Sequence, residues 1–326
     1  MKAVAHTTPD IDSLVDLELP APSPSGRDLL VRVEAVSVNP VDTKQRKAGS
    51  AAPRVLGWDA AGTVVGLGEE ASLFKVGDEV YYAGDVTRAG CDSELHLVDE
   101  RIVGRKPRRL DFAQAAALPL TAITAWEAFH DRLKVKRGAS LLIIGGAGGV
   151  GSIGIQLARL AGLKVIATAS RPASIAWVKE LGAEHVIDHR KPMRPQLEAL
   201  GLKHVDYIAN FNEVDEHWAA ISDLVAPQGG IVLIVGNKNP LNVDAVRAKS
   251  AALCFELMFT RPRFQTPDMI EQHRLLNQVA EWLDAGRLKG TLKETLSPIN
   301  AANLRKAHAK LESGTMIGKL VLRGWS

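Results

Sequence analysis

The stretch IIGGAGGVGSIGIQLARLAG, residues 143–162, is rich in glycine, yet it also carries Ile153, Leu157, Leu160 and Ala161 at the spacing of a buried helical stripe. Flexible linkers are glycine-rich, and so are loops that cradle phosphate. A linker has no reason to carry this periodicity. Gly146-Ala147-Gly148-Gly149-Val150-Gly151 fits G-x-G-x-x-G, a weak signal alone. Here the motif follows the apolar run Leu141–Ile144 and opens a helix, the context that gives it meaning. Gly146 is expected to permit a tight turn, Gly148 to let a diphosphate approach the backbone, and Gly151 to let helix and strand close up. The helix N-terminus would then offer free N–H groups and the positive end of its dipole.

The flanking chain extends this reading. Apolar runs at 140–144, 164–168, 185–188, 205–209 and 231–235 alternate with helical patterns, among them 174–181 closed by Gly182. Strand and helix in repetition predict a parallel sheet covered on both faces. Before residue 100 the period is two, as in Leu30-Val31-Arg32-Val33-Glu34-Ala35, with Gly and Pro at short intervals. That half reads as a mostly antiparallel β domain. Helical composition begins at 113–117 and 122–129. Beyond about residue 262 come a polar helix at 268–285, a second at 301–313 and a strand at 318–322. The expected organisation is 1–121 and 263–326 as one domain and 122–262 as the other.

Bulk properties bound the function. A chain of 326 residues is expected to hold two domains. Its 40 basic and 37 acidic residues leave a net charge of +3, too balanced for a dedicated nucleic-acid binder. Cys91 and Cys254 stand alone, which argues against a disulfide framework and for a reducing, cytoplasmic setting. The N-terminus has neither a signal-peptide nor a transit-peptide pattern, and no apolar run is long enough to span a bilayer.

Gly138 to Arg159, with its Gln156, resembles the quinone oxidoreductase signature of the medium-chain dehydrogenase/reductase superfamily. Val38-Asn39-Pro40-Val41-Asp42-Thr43, Gly57-Trp58-Asp59-Ala60-Ala61-Gly62 and Gly318-Lys319-Leu320-Val321-Leu322 follow in family order. Phe255–Pro262 is similar to the zinc-free subgroup called "zinc-type alcohol dehydrogenase-like". Ala139 and Gly146 depart from the quinone oxidoreductase signature, which prefers a polar or acidic residue and a Ser or Ala there. The resemblance implies a GroES-like, mostly antiparallel β domain plus a doubly wound α/β Rossmann domain, with a cofactor in the cleft between them. It also implies a homodimer, with the apolar segments 231–235 and 251–259 offering an edge for pairing.

Zinc-dependent relatives place Cys where Asn39 stands and a His-Glu pair where Trp58-Asp59 stands. Neither Asn39 nor Trp58 suits zinc, so no metal is expected. Without zinc to polarise a carbonyl, an electron-poor hydride acceptor is the better substrate, such as a quinone or an activated enone or enal. The resemblance points to Asn39, Lys44 and Thr124 as candidate catalytic residues. Asn39 would hydrogen-bond the substrate oxygen or a water, or serve only as the turn residue before Pro40.

NAD-specific folds hold the ribose 2′-hydroxyl with an acid at the end of the second strand, but here that strand ends in Ser170-Arg171. Arg171 suits a 2′-phosphate, and His189 and Arg190 could close the same pocket, so NADPH is the expected cofactor. Phe211, Gly236 and Asn237 lie in loops at the carboxyl edge of the sheet, and Lys319 resembles a lysine that approaches the cofactor in relatives. Two rival functions remain open at this point. One is an enoyl reductase with a single 2-enoyl substrate. The other is a non-enzymatic NADPH-binding protein, structural or RNA-binding, like the lens crystallin of this family.

Overall fold

Strands from the first hundred residues and from the C-terminal region meet in one mostly antiparallel sheet. The strand Asp28–Ser37 buries Leu29, Val31, Val33 and Ala35 completely while Arg32 points to solvent, so its period-two pattern makes one dry and one wet face. It pairs antiparallel with Ala60–Leu67, with Leu95–Asp99 and with the C-terminal strand Lys319–Arg323. Leu292–Leu296 adds a parallel partner to that last strand. This computed structural model describes residues 1–325. Met1–Ile123 and the chain from Phe259 onward form one unit, and Thr124–Met258 form the other. The expected breaks after residues 121 and 262 lie a few residues away.

Two histidines make the first unit sensitive to acid. His96 lies stacked on Tyr82 with centroids 5.5 Å apart, and its Nε2 faces the Ala89 carbonyl at 3.0 Å. His308 receives a hydrogen bond from Arg46 Nε at 3.3 Å. Burial pushes both imidazoles down to about 4, and the charge of Arg46 adds to the effect at His308. Both are therefore neutral in the folded protein, while in the unfolded chain they take up protons near their ordinary value of 6.5. The stability held by the neutral forms is lost as pH falls from 6.5 toward 4. Denaturant unfolding at pH 7 and pH 5 should differ by about 2 kcal/mol per histidine, and His308→Gln should remove about half of the difference. An unchanged midpoint at pH 5 would refute this.

The second unit is a six-stranded parallel sheet: β1 (Ser140–Ile144), β2 (Lys164–Thr168), β3 (His185–Ile187), β4 (Val205–Asn210), β5 (Val225–Leu233) and β6 (Ala252–Phe255), in the spatial order β3-β2-β1-β4-β5-β6. Leu142 of β1 lies between Ile166 and Ile208 on the neighbouring strands, and all three belong to one apolar cluster. The helices α1 (Gly149–Leu160), α2 (Pro172–Glu180), α3 (Met193–Glu198) and α4 (Val214–Leu224) connect the strands. Strand order reverses between β1 and β4, and a crevice outside the carboxyl ends at such a point is where open α/β sheets bind ligands.

Three expectations are revised. The strand expected at 231–235 begins at Val225 and ends at Leu233. Pro227, Gly229 and Gly230 read as a break in sequence, but the chain passes through them with Gln228 at φ 61° and a register shift opposite Val205 and Tyr207. Since β5 is paired on both sides, of the two segments expected to offer an edge only the second does so, through β6, where Phe255 is 64% exposed and Leu257 just beyond the strand 49%. The helix expected at 122–129 is instead an α-helix over Pro119–Trp126 that widens into a π-helical stretch, Glu127–Arg132.

Candidate functional site

In the second unit the glycine-rich loop leaves β1 with Gly145 in the left-handed region at φ 85°, so the tight turn falls one residue before its expected place at Gly146. The Gly145 N–H donates to Thr168 Oγ1 at 3.0 Å, tying the loop to the end of β2. Gly146 has a packing role, because a Cβ there would stand 2.9 Å from Ala167 Cβ. At Gly151 a Cβ would lie 2.4 Å from the Gly145 carbonyl, so only glycine lets α1 close on the loop. Gly148 differs from these, since an added Cβ would meet only the Gly145 oxygen at an ordinary 3.5 Å. Protein packing does not require glycine at 148; close approach of a ligand would. The first bond onto the new helix runs from Ser152 N to Gly148 O, which leaves the N–H groups of Gly149, Val150 and Gly151 without an intrahelical acceptor. Ser152 is braced in turn by Trp177, whose Nε1 donates to its Oγ at 2.8 Å. Ala147 lies in the same loop, half-buried. These residues fit a diphosphate cradle.

After β2 the chain passes through Ser170 and Arg171, both half-buried, into α2. Among the described residues none forms a hydrogen bond or ion pair with the Arg171 guanidinium. Arg190 does have partners. It grips both oxygens of Asp188 at 3.1 Å and donates to the Ser170 carbonyl at 2.6 Å. His189 sets its ring edge-on to His217 with centroids 5.9 Å apart, and its buried Nδ1 has no protein partner among the described residues. Phe211 is half-buried and donates its N–H to the Ile144 carbonyl, which places it directly beyond β1. Gly236 and Asn237 are exposed beyond the end of β5, and the Asn237 amide donates to Asn239 O.

The first unit holds a buried charge cluster that revises two expectations. Asn39 is 2% exposed, and both of its amide protons are committed, to Ser37 O at 3.2 Å and Asp59 Oδ2 at 3.0 Å. It therefore has no proton left for a substrate oxygen. Lys319, expected to approach a cofactor, is also 2% exposed and donates to Val38 O, Asn39 Oδ1 and Asp59 Oδ2. These three acceptors use all of its protons. Asp59 is fully buried, with its other oxygen taking the Leu120 N–H at 3.0 Å. Burial pushes the Asp59 carboxyl up, while Lys319, the Leu120 N–H and the Asn39 amide pull it back. The Asn39 N–H donates to Asp42, whose carboxyl burial raises to about 7. Trp58 is a core aromatic: its indole donates to Asp85 O and its ring meets Phe259 edge-on. Lys44 projects into solvent, and Thr124 is 5% exposed in the Pro119–Trp126 helix.

Sequence reasoning misses the pairing of Lys319 with Asp59. Its one signal is a lysine heading the apolar run Leu320-Val321-Leu322, since a cation in a buried strand needs an acceptor. The π-helical stretch has no sequence signal.

Comparison with known proteins agrees with this geometry. Residues 25–107 match the alcohol dehydrogenase GroES-like domain and residues 181–322 the zinc-binding dehydrogenase family. A zinc-type alcohol dehydrogenase-like protein of Staphylococcus aureus (strain MSSA476) is 41% identical over 308 residues, covering 92% of each chain. The chain belongs to the medium-chain dehydrogenase/reductase superfamily. Human quinone oxidoreductase is 30% identical, with 94% of this chain and 92% of that one covered. A solved structure from Rhizobium etli CFN 42, whose name refers to a zinc-dependent alcohol dehydrogenase, is 54% identical with a TM-score of 0.97, covering 100% of this chain and 98% of that one. The protein is thus an oxidoreductase of this superfamily.

The zinc in those family names does not fit this member of the superfamily. Asp59 already serves an ammonium, Asn39 contributes an amide, and Trp58 has no lone pair to give. Among the described residues no group of three His, Cys, Asp or Glu could hold a metal ion. No helix among them is long and apolar enough to cross a membrane.

Proposed function

We propose that this medium-chain reductase uses NADPH and, without zinc, reduces quinones or activated enones and enals. The observation that carries the proposal is the closed hydrogen-bonding of Asn39, Asp59 and Lys319. That cluster has neither an electrophile nor a spare donor with which to polarise a simple ketone. An acceptor that spreads incoming charge onto its own conjugated oxygen needs less help. When bound, the dinucleotide supplies the hydride. The chain's own residues bind and orient: the free N–H groups of Gly149, Val150 and Gly151 take the diphosphate, and Arg171 takes the 2′-phosphate. The proton that completes the reduction then comes from solvent.

The test is NADPH oxidation with a panel of a benzoquinone, a simple enone, a 2-enoyl thioester and a saturated ketone, with elemental analysis of the same preparation. Turnover of the quinone or enone, none of the ketone, and zinc far below one per chain are expected. Turnover confined to the thioester would point to an enoyl reductase. Ketone reduction dependent on about one bound zinc would overturn the proposal.

A further inference from the structure

Ser170 and Arg190 lie in successive loops at the carboxyl edge of the parallel sheet, the first after β2 and the second after β3. A free arginine and a fixed one carry different information. Arg190 engages Asp188 through Nε and Nη2, and the same Nη2 donates to the Ser170 carbonyl. The fork face of its guanidinium is therefore taken by a carboxylate. Its end face has lost a proton to a backbone oxygen. Only Nη1 keeps both protons, so no edge remains for bidentate capture of a phosphate. The hold of Arg190 keeps the Asp188 carboxyl below the ordinary carboxylate range.

Asp188 is anchored independently. Its N–H donates to Gln196 Oε1 at 2.8 Å, its carbonyl accepts from Gln196 Nε2 at 2.9 Å, and its Oδ1 takes the Arg190 N–H at 3.0 Å. The chain of contacts runs from Asp188 through Arg190 to the Ser170 carbonyl, and the next residue is Arg171. The Arg171 backbone is held on its other side by Ser174, whose Oγ accepts from Arg171 N and donates to Arg171 O.

We propose that Asp188 and Arg190 form a brace that positions the Ser170-Arg171 loop for recognition of the 2′-phosphate, and that Arg190 does not itself bind the phosphate. This rests on the NADPH reading above. The brace makes Arg190 a positioning residue for cofactor discrimination. It also neutralises Asp188, which would otherwise present a bare carboxylate to the dianionic phosphate.

The test is a double-mutant cycle of Arg171→Ala and Arg190→Ala, read as dissociation constants for NADPH and NADH by fluorescence titration. Arg190 is exposed, so its variants should fold, and a melting curve of each checks this. Arg190→Ala is expected to lower the NADPH preference about three- to tenfold, the effect of one or two hydrogen bonds. In the Arg171→Ala background it should lower the preference less than about twofold, because no side chain remains to be positioned. Arg190→Lys, which keeps the charge but not the fork, should behave like the alanine variant. Equal losses in both backgrounds, or full retention by the lysine variant, would make Arg190 a phosphate ligand and overturn the brace while leaving the NADPH reading intact. A parent protein that prefers NADH, with Arg171→Ala changing neither cofactor, would overturn both.

Discussion

The Lys319→Met variant is expected to melt about 6–12 °C below the parent protein, a loss of about 3 kcal/mol or more for a unit of this size. Removing the ammonium leaves Asp59 fully buried, with only the Leu120 N–H and the Asn39 amide as partners. An uncompensated carboxylate in such a place takes up a proton, and that uptake costs more as pH rises. The deficit should therefore be larger at pH 8 than at pH 5. Adding Asp59→Asn to the same chain removes both charges and should restore most of the stability, since breaking a buried pair costs more than replacing it by neutral groups. A Lys319→Met melting point within about a degree of the parent, by calorimetry, would show that the ammonium is not held as described.

Replacing Arg171 by Ala should raise the Michaelis constant for NADPH about ten- to a hundredfold, the loss expected for a charge-assisted pair of about 1.5–3 kcal/mol. NADH kinetics should hardly move, because its ribose carries a hydroxyl where NADPH carries a phosphate. The effect should shrink as salt screens the half-exposed guanidinium. A variant that weakens both cofactors equally would remove Arg171 from discrimination.

Much of the parallel-sheet unit is legible in the sequence. β1 and β2 begin and end where their apolar runs do, and Gly182 closes α2 at φ 103° as its position after the helix suggests. Such features are local: a run of apolar residues and a terminating glycine carry their meaning within a few positions. The continuation of β5 through Pro227, Gly229 and Gly230 is not legible, because the pairing of Tyr207 with Gly230 and Ile208 with Ile231 overrides the breakers. Nor is the turn at Gly145, since all the glycines of the loop look alike until the position of β2 shows which one must make room.

By itself, then, the sequence determined the α/β class, the glycine-rich loop and its helix, the absence of an acid after the second strand, and the family. Each of these depends on residue type at fixed local spacing. Only the tertiary structure decided which side chains have protons left to give. Asn39 and Lys319 are distant in sequence, yet β-pairing of the C-terminal strand with Asp28–Ser37 brings both to Asp59 and consumes their donors on one another. Arg171 and Arg190 look equivalent in sequence as phosphate-binding candidates. The anchored Asp188 carboxylate occupies Arg190, whereas no described residue occupies Arg171. Hydrogen-bond capacity is a property of neighbours in space, and a buried or gripped donor is spent whatever its residue type.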